Sequence, residues 1–169
     1  MSNYDLVVEM NPPLEILLKK YFIGEQYEKI ALIPFSIANE DRTIFITLKK
    51  IIYVPSKAMG VPNQFHVQLD PRFLKSALAY CASSQLHFGI IHNHLNKDIQ
   101  FSTQDIKVEC ILRNYIFTKF NSKMMFANFL FSENRVNMRV FSNNIQKEVD
   151  RFLFGGRSVL ANNSTLHLQ

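Results

Sequence analysis

Two histidines and an aspartate carry the most chemistry in this 169-residue chain. His92-Asn93-His94 closes an apolar run, Leu86 to Ile91, and a polar loop leads from it to Ser102-Thr103-Gln104-Asp105. Residues i and i+2 of an extended strand point to the same face, so both imidazoles can converge on one ion. Asp105 falls in the first turn of the next predicted helix, from which its carboxylate can fold back as a third ligand. Two neutral imidazoles and one carboxylate make a three-ligand zinc site with the fourth tetrahedral position left for water. Zinc so held lowers the pKa of that water toward about 7 and polarises a carbonyl. Each part also has a plain structural explanation. Histidines at a strand end are often only polar residues at a strand-to-loop transition, and Ser102-x-x-Asp105 is a helix-capping signature. Their joint occurrence at this spacing is what points to a metal.

The elements around these residues follow from pattern. Pro12-Pro13 opens a helix over Leu14 to Phe22, where the first turn tolerates proline, and Gly24 supplies a stop. What precedes it reads as a polar start. Lys29 to Phe35 predicts a buried strand with an edge or bulge at Pro34. Asn39 to Arg42 is a polar turn into a β-branched run, Thr43 to Val54, so the two runs predict an antiparallel hairpin. Pro55 to Asn63 reads as a loop, and Phe65 to Leu69 as a short strand. Asp70-Pro71 predicts a capped helix to about Ser83. After the His-x-His strand, Ser102 opens a helix to about Phe117. Strands near Met124–Phe131 and Val136–Phe141 follow, then a candidate last helix over Asn144 to Phe154. The polar end beyond Gly155-Gly156 is expected to be loose. The outer strands look hairpin-connected, which predicts an α/β class with a mixed sheet flanked by helices.

Composition sets the outer bounds. With 47% hydrophobic and 12% aromatic residues, the chain can bury a single domain's core, and most of it is not disordered. No apolar run reaches the roughly 18–20 residues of a membrane span. The start lacks a signal-peptide pattern, and Cys81 and Cys110 are too few for a disulfide framework; a cytoplasmic location is expected. The net charge of +5 is spread along the chain rather than gathered in a stripe. That distribution suits a solubilising surface better than a nucleic-acid footprint.

His-x-His, seven residues, then Ser-x-x-Asp resembles the signature of the JAB/MPN zinc metalloproteases, the JAMM motif. The likeness extends in element order over most of 12–141 and matches the shorter prokaryotic JAB domains. It implies a single-domain JAB/MPN (cytidine-deaminase-like) fold over 1–155 with a polar tail over 156–169. It also implies that His92, His94 and Asp105 bind Zn2+, that Ser102 stabilises the tetrahedral intermediate, and that an upstream glutamate is general acid/base. Glu28-Lys29-Ile30-Ala31 fits the family's pattern of a Glu before a small residue and an apolar strand; Glu25 is the alternative. Asn93 and Leu95 depart from the commoner Ser/Thr and Pro, and neither supplies a ligand atom.

The resemblance implies an isopeptidase or peptidase that hydrolyses an amide bond after a ubiquitin-like or other C-terminally conjugated protein. In bacteria such proteins accompany E1- and E2-like conjugating enzymes, including those of antiviral defence. An extended substrate tail is expected at a sheet edge near the Pro55–Asn63 loop. Two other readings stay open: an inert MPN-type scaffold, and a nucleic-acid-associated protein of the RadC-like branch, which shares Asn93. The zinc-deaminase strings H-x-E and P-C-x-x-C are absent. His66 and His87 are expected to be structural, and both cysteines to be small buried hydrophobes on helices.

Overall fold

Strands covered on both faces run apolar without strict alternation, and the three richest such runs in the sequence lie side by side in one sheet. The computed structural model describes residues 4–25, 27–58, 69–95, 99–120, 123–132, 135–142 and 146–160. In chain order the elements are β1 (Asp5–Met10), α1 (Pro12–Phe22), β2 (Ile30–Leu32), β3 (Phe35–Glu40), β4 (Thr43–Leu48) and β5 (Ile52–Tyr53). There follow α2 (Pro71–Ser83), β6 (Phe88–Asn93), α3 (Thr103–Lys119), β7 (Phe126–Ser132), β8 (Arg135–Phe141), β9 (Gln146–Glu148), β10 (Arg151–Phe154) and β11 (Arg157–Leu160). They form two mixed sheets, ordered β11-β10-β1-β4-β3 and β5-β2-β6-β7-β8-β9. The expected α/β class holds, with two sheets where one was expected.

The six-stranded sheet is the middle layer. One set of its side chains, including Ala31, Ile33, Ile91, Phe129 and Met138, packs with α1 and the five-stranded sheet. The alternate set, including Ile30, Leu32, Ile90, Phe126 and Phe141, packs with α2 and α3. Gly89 permits a close approach to the chain just after β2, because a Cβ there would sit 2.8 Å from Ile33 Cγ2 and 2.9 Å from the Ile33 carbonyl oxygen. β6 and β7 are parallel, so the chain between them must cross over, and α3 is that crossover. The segment that matters therefore runs from the end of a buried strand to the start of a surface helix.

Local chemistry explains the helix starts. Asp70 caps α2, with Oδ1 accepting the amides of Arg72 and Phe73 at 2.7 and 3.4 Å, and Pro71 sits where an amide hydrogen is not needed. Asn11 does the same for α1. Ser102 begins α3.

Several sequence expectations need correction. The polar start contains β1, which pairs in parallel with both β4 and β10 and buries Leu6, Val7 and Val8. The run Thr43–Val54 is two strands in different sheets: β4 pairs with β3, and β5 pairs with β2. Pro34 marks the bend where the chain leaves one sheet for the other, as its backbone chemistry suggests, and Phe35 still bridges to His87. The candidate helix over Asn144–Phe154 is instead β9 and β10. Phe152 and Phe154, two apart, are both fully buried beside β1, and an open strand edge outweighs an ambiguous local pattern. Gly155 and Gly156, at φ 53° and 81°, form the two-residue turn into β11, so a boundary at 155/156 cuts a hairpin. Cys81 is buried as expected, but Cys110 is exposed on the outer side of α3. The expected strand at Phe65–Leu69 and His66 lie outside the described residues, Leu69 apart. So does the second part of the Pro55–Asn63 loop, whose first part makes a 3-10 turn over Ser56–Ala58.

Candidate metal centre

β6 ends with His92 and Asn93, and His94 follows directly. The histidines share a face by the strand repeat, and their ring centroids are 5.2 Å apart. α3 brings Asp105 to the same point. Its Oδ1 lies 3.2 Å from His92 Nε2 and its Oδ2 lies 3.2 Å from His94 Nε2. One ligand atom from each residue falls within 4.8 Å of the others, and among the described residues this is the group able to hold a metal ion.

The capping signature and the ligand set prove to be one arrangement. Ser102 Oγ accepts the Asp105 amide at 3.1 Å, and Asp105 Oδ2 accepts the Ser102 amide at 2.6 Å, which completes a capping box. That box turns the carboxylate back toward the strand and leaves Oδ1 facing His92. Burial alone would raise the Asp105 pKa. Contacts with His92 and His94, the His92 charge and the bond with Ser102 outweigh it and hold the carboxyl well below the usual carboxylate range.

The donors suit a divalent metal. His92 is 9% exposed, and its Nε2 is buried without a properly directed hydrogen bond, although a carboxylate oxygen stands 3.2 Å away. His94 Nε2 lies within hydrogen-bond distance of Asp105 Oδ2, so the carboxylate and both imidazoles already lie side by side. The two nitrogen–oxygen spacings of 3.2 Å are close to the roughly 3.3 Å that metal–ligand bonds of about 2.0–2.1 Å set between neighbouring donors. The residues present therefore fit a metal.

Asn93 points into the sheet rather than to the cluster. It is buried, its Oδ1 accepts the Lys29 amide at 2.6 Å, and its own amide donates to the Lys29 carbonyl at 3.3 Å. These bonds continue the antiparallel register in which Ile30 faces His92. Glu28 directly precedes Lys29 in this segment. Glu28 is half-buried. Glu25 instead pairs with Lys29 at 2.6 Å. Tyr21 steadies the same segment, its hydroxyl donating to the Ile30 carbonyl at 3.2 Å. A cavity of about 460 Å³ opens beside His94, between Phe22–Glu25 on one side and Asn93–Leu95 on the other. Gly24, at φ 79°, makes the turn on its rim.

Sequence reasoning passed over a buried polar set behind the centre. Glu109, one helical turn after Asp105, receives the Asn128 side-chain amide at 3.1 Å and pairs with Arg139 at 2.8 Å. The available signal was a polar residue inside each of two apolar strands. His87 is structural as expected, with Nδ1 accepting the Met125 amide at 3.0 Å.

No protein-family model matches the sequence, and no curated protein matches it. Among the described residues, no helix is long and apolar enough to cross a membrane.

Proposed function

We propose that this protein is a zinc-dependent isopeptidase or peptidase of the JAB/MPN type, acting on an amide bond after a ubiquitin-like or other C-terminally conjugated protein. The observation that carries the reading is the convergence of His92, His94 and Asp105 from a strand end and a capped helix. Zinc held by these three residues would supply an acidified water and a Lewis acid for the scissile carbonyl.

The chain's own groups do the rest. Asp105, kept ionised by its neighbours, offers one oxygen to the ion while the Ser102 amide holds the other. Glu28, just before Lys29, takes a proton from the attacking water on its carboxylate and returns it to the leaving nitrogen. Ser102 Oγ is an acceptor in the capping box, and a hydroxyl in that role still has its own proton to donate to the developing oxyanion. The cavity beside His94 has room for the side chains flanking the scissile bond. β5 lies at the edge of its sheet, where an extended substrate tail can gain main-chain hydrogen bonds. The substrate class, and E1- and E2-like enzymes as its source, rest on the motif's resemblance.

Metal analysis of the purified protein and a cleavage assay test the reading together. Stoichiometric zinc and chelator-sensitive release of a ubiquitin-like fusion are expected. A metal-free protein, or release that chelator leaves unchanged, overturns it; metal-free and inactive protein would favour the inert scaffold.

A further inference from the structure

Residues 99–101, just before the helix half of the metal group, are held from β8. Asn137 and Arg139, two residues apart, share the face of the sheet that looks toward α3 and residues 99–101. Asn137, 5% exposed, donates from Nδ2 to the Ile99 carbonyl at 3.1 Å. Arg139 lays its guanidinium over the Phe101 ring, 4.0 Å from the centroid. That ring packs against the His92 imidazole, with centroids 6.2 Å apart, inside the range of favourable aromatic pairs. Arg139 is itself fixed by Glu109, a carboxylate 2% exposed. A cavity of about 370 Å³ borders Ile99, Phe101, Asn137 and Arg139, so close packing alone does not immobilise this segment.

A buried ion pair is a costly way to hold a fold together, because an apolar pair of similar volume often serves as well. Arg139 adds what an apolar side chain lacks: a flat cationic face for Phe101 combined with a fixed anchor at Glu109. We infer that Asn137 and Arg139 are positioning residues for the metal group, fixing residues 99–101 and, through Phe101, the His92 ring. They set the spacing of strand and helix donors before a cation arrives. This inference rests on the metal-hydrolase reading.

Cobalt(II) titration of the full chain, followed by visible absorption, reads affinity and ligand geometry without any turnover. Arg139→Lys keeps the charge opposite Glu109 but removes the flat face, and Phe101→Leu removes the ring while leaving the ion pair. Arg113→Lys is the control: it lies on α3, over the Phe141 ring at 4.6 Å, and bonds Gln146 rather than residues 99–101. The two test variants are expected to bind cobalt about 10–100-fold more weakly, with an altered spectrum. Their metal-free melting temperatures are expected to match that of the control, whose affinity stays at the wild-type value. Wild-type affinity and spectrum in both test variants overturn the inference and leave the parent reading standing. A wild-type chain that binds no cobalt removes both. Should Arg139→Lys not fold, Phe101→Leu carries the test.

Discussion

β6 has histidines at both of its ends, and they live differently. At the first end His87 accepts a backbone amide through Nδ1 and packs against Phe35, with ring centroids 5.3 Å apart. Its polar need is met by the fold. At the other end the Nε2 atoms of His92 and His94 face a carboxylate, and the buried Nε2 of His92 has no well-directed bond. Two of the three capped helices, α2 and α3, differ as well. Asp70 turns one oxygen onto two amides at the start of α2, whereas Asp105 divides its oxygens between the Ser102 amide and the histidines. Residue type does not separate structure from chemistry here. What separates them is whether the polar atoms gather at one point, as those of His92, His94 and Asp105 do.

The largest expected difference comes from the two aspartates. Asp105→Asn is expected to abolish stoichiometric metal and cleavage, because a neutral amide is a poor ligand for zinc. Asp70→Asn should change stability by only a few tenths of a kcal/mol, since Asn caps a helix nearly as well as Asp. Metal content, turnover and thermal melts of both variants decide the matter. Full metal occupancy in Asp105→Asn would break the comparison at its centre.

Next come the two glutamates before β2. Glu28→Gln is expected to lower turnover by about 10²–10⁴-fold, the range for loss of a positioned acid/base, with metal content unchanged. Glu25→Gln removes a part-exposed pair with Lys29, and such pairs contribute about 0–1 kcal/mol. Its turnover should stay within a few-fold of wild type. A large loss in Glu25→Gln with normal Glu28→Gln activity would exchange their roles.

Metal linkage sharpens the contrast within β6. Zinc at about 100 times its Kd is expected to stabilise the wild-type fold by about 2.7 kcal/mol. His92→Gln should lose that increment. His87→Gln should keep it on a baseline lowered by about 1 kcal/mol, the usual net contribution of one hydrogen bond. Denaturant melts with and without zinc would show it, and an intact increment in His92→Gln would remove His92 from the ligand set.

Where the structure agrees with sequence pattern, the determining chemistry is local. Asp70-Pro71 sets the start of α2, and Ser102 with Asp105 sets the start of α3 within four residues. His92, His94 and Asp105 are close in sequence, joined by one loop, so their convergence was legible. What escaped depends on distant partners. β1 and β10 cover one another's edges across some 140 residues, and nothing in either segment names the other. The Glu109–Asn128–Arg139 set spans a helix and two strands, and no short motif announces it. Glu25 and Glu28 both lie in the segment that leads to β2, and sequence spacing does not choose between them.

The smallest effect tests the structural end of β6 alone. Burial lowers the His87 pKa below its usual value, and a neutral ring is what lets Nδ1 accept the Met125 amide. A histidine whose folded pKa is depressed contributes stability that is fully present above its unfolded pKa, about 6.5, and is lost as pH falls through that value toward the folded one. Wild type should therefore lose more stability between pH 7.5 and 5 than His87→Gln, which has no ring to protonate. Taking the difference between the two proteins cancels every other group that both share. Denaturation midpoints at the two pH values provide the measurement. Equal losses in the two proteins would mean that His87 is no more committed to the neutral form than an exposed imidazole, and the contrast between the ends of the strand would then lie only in the carboxylate.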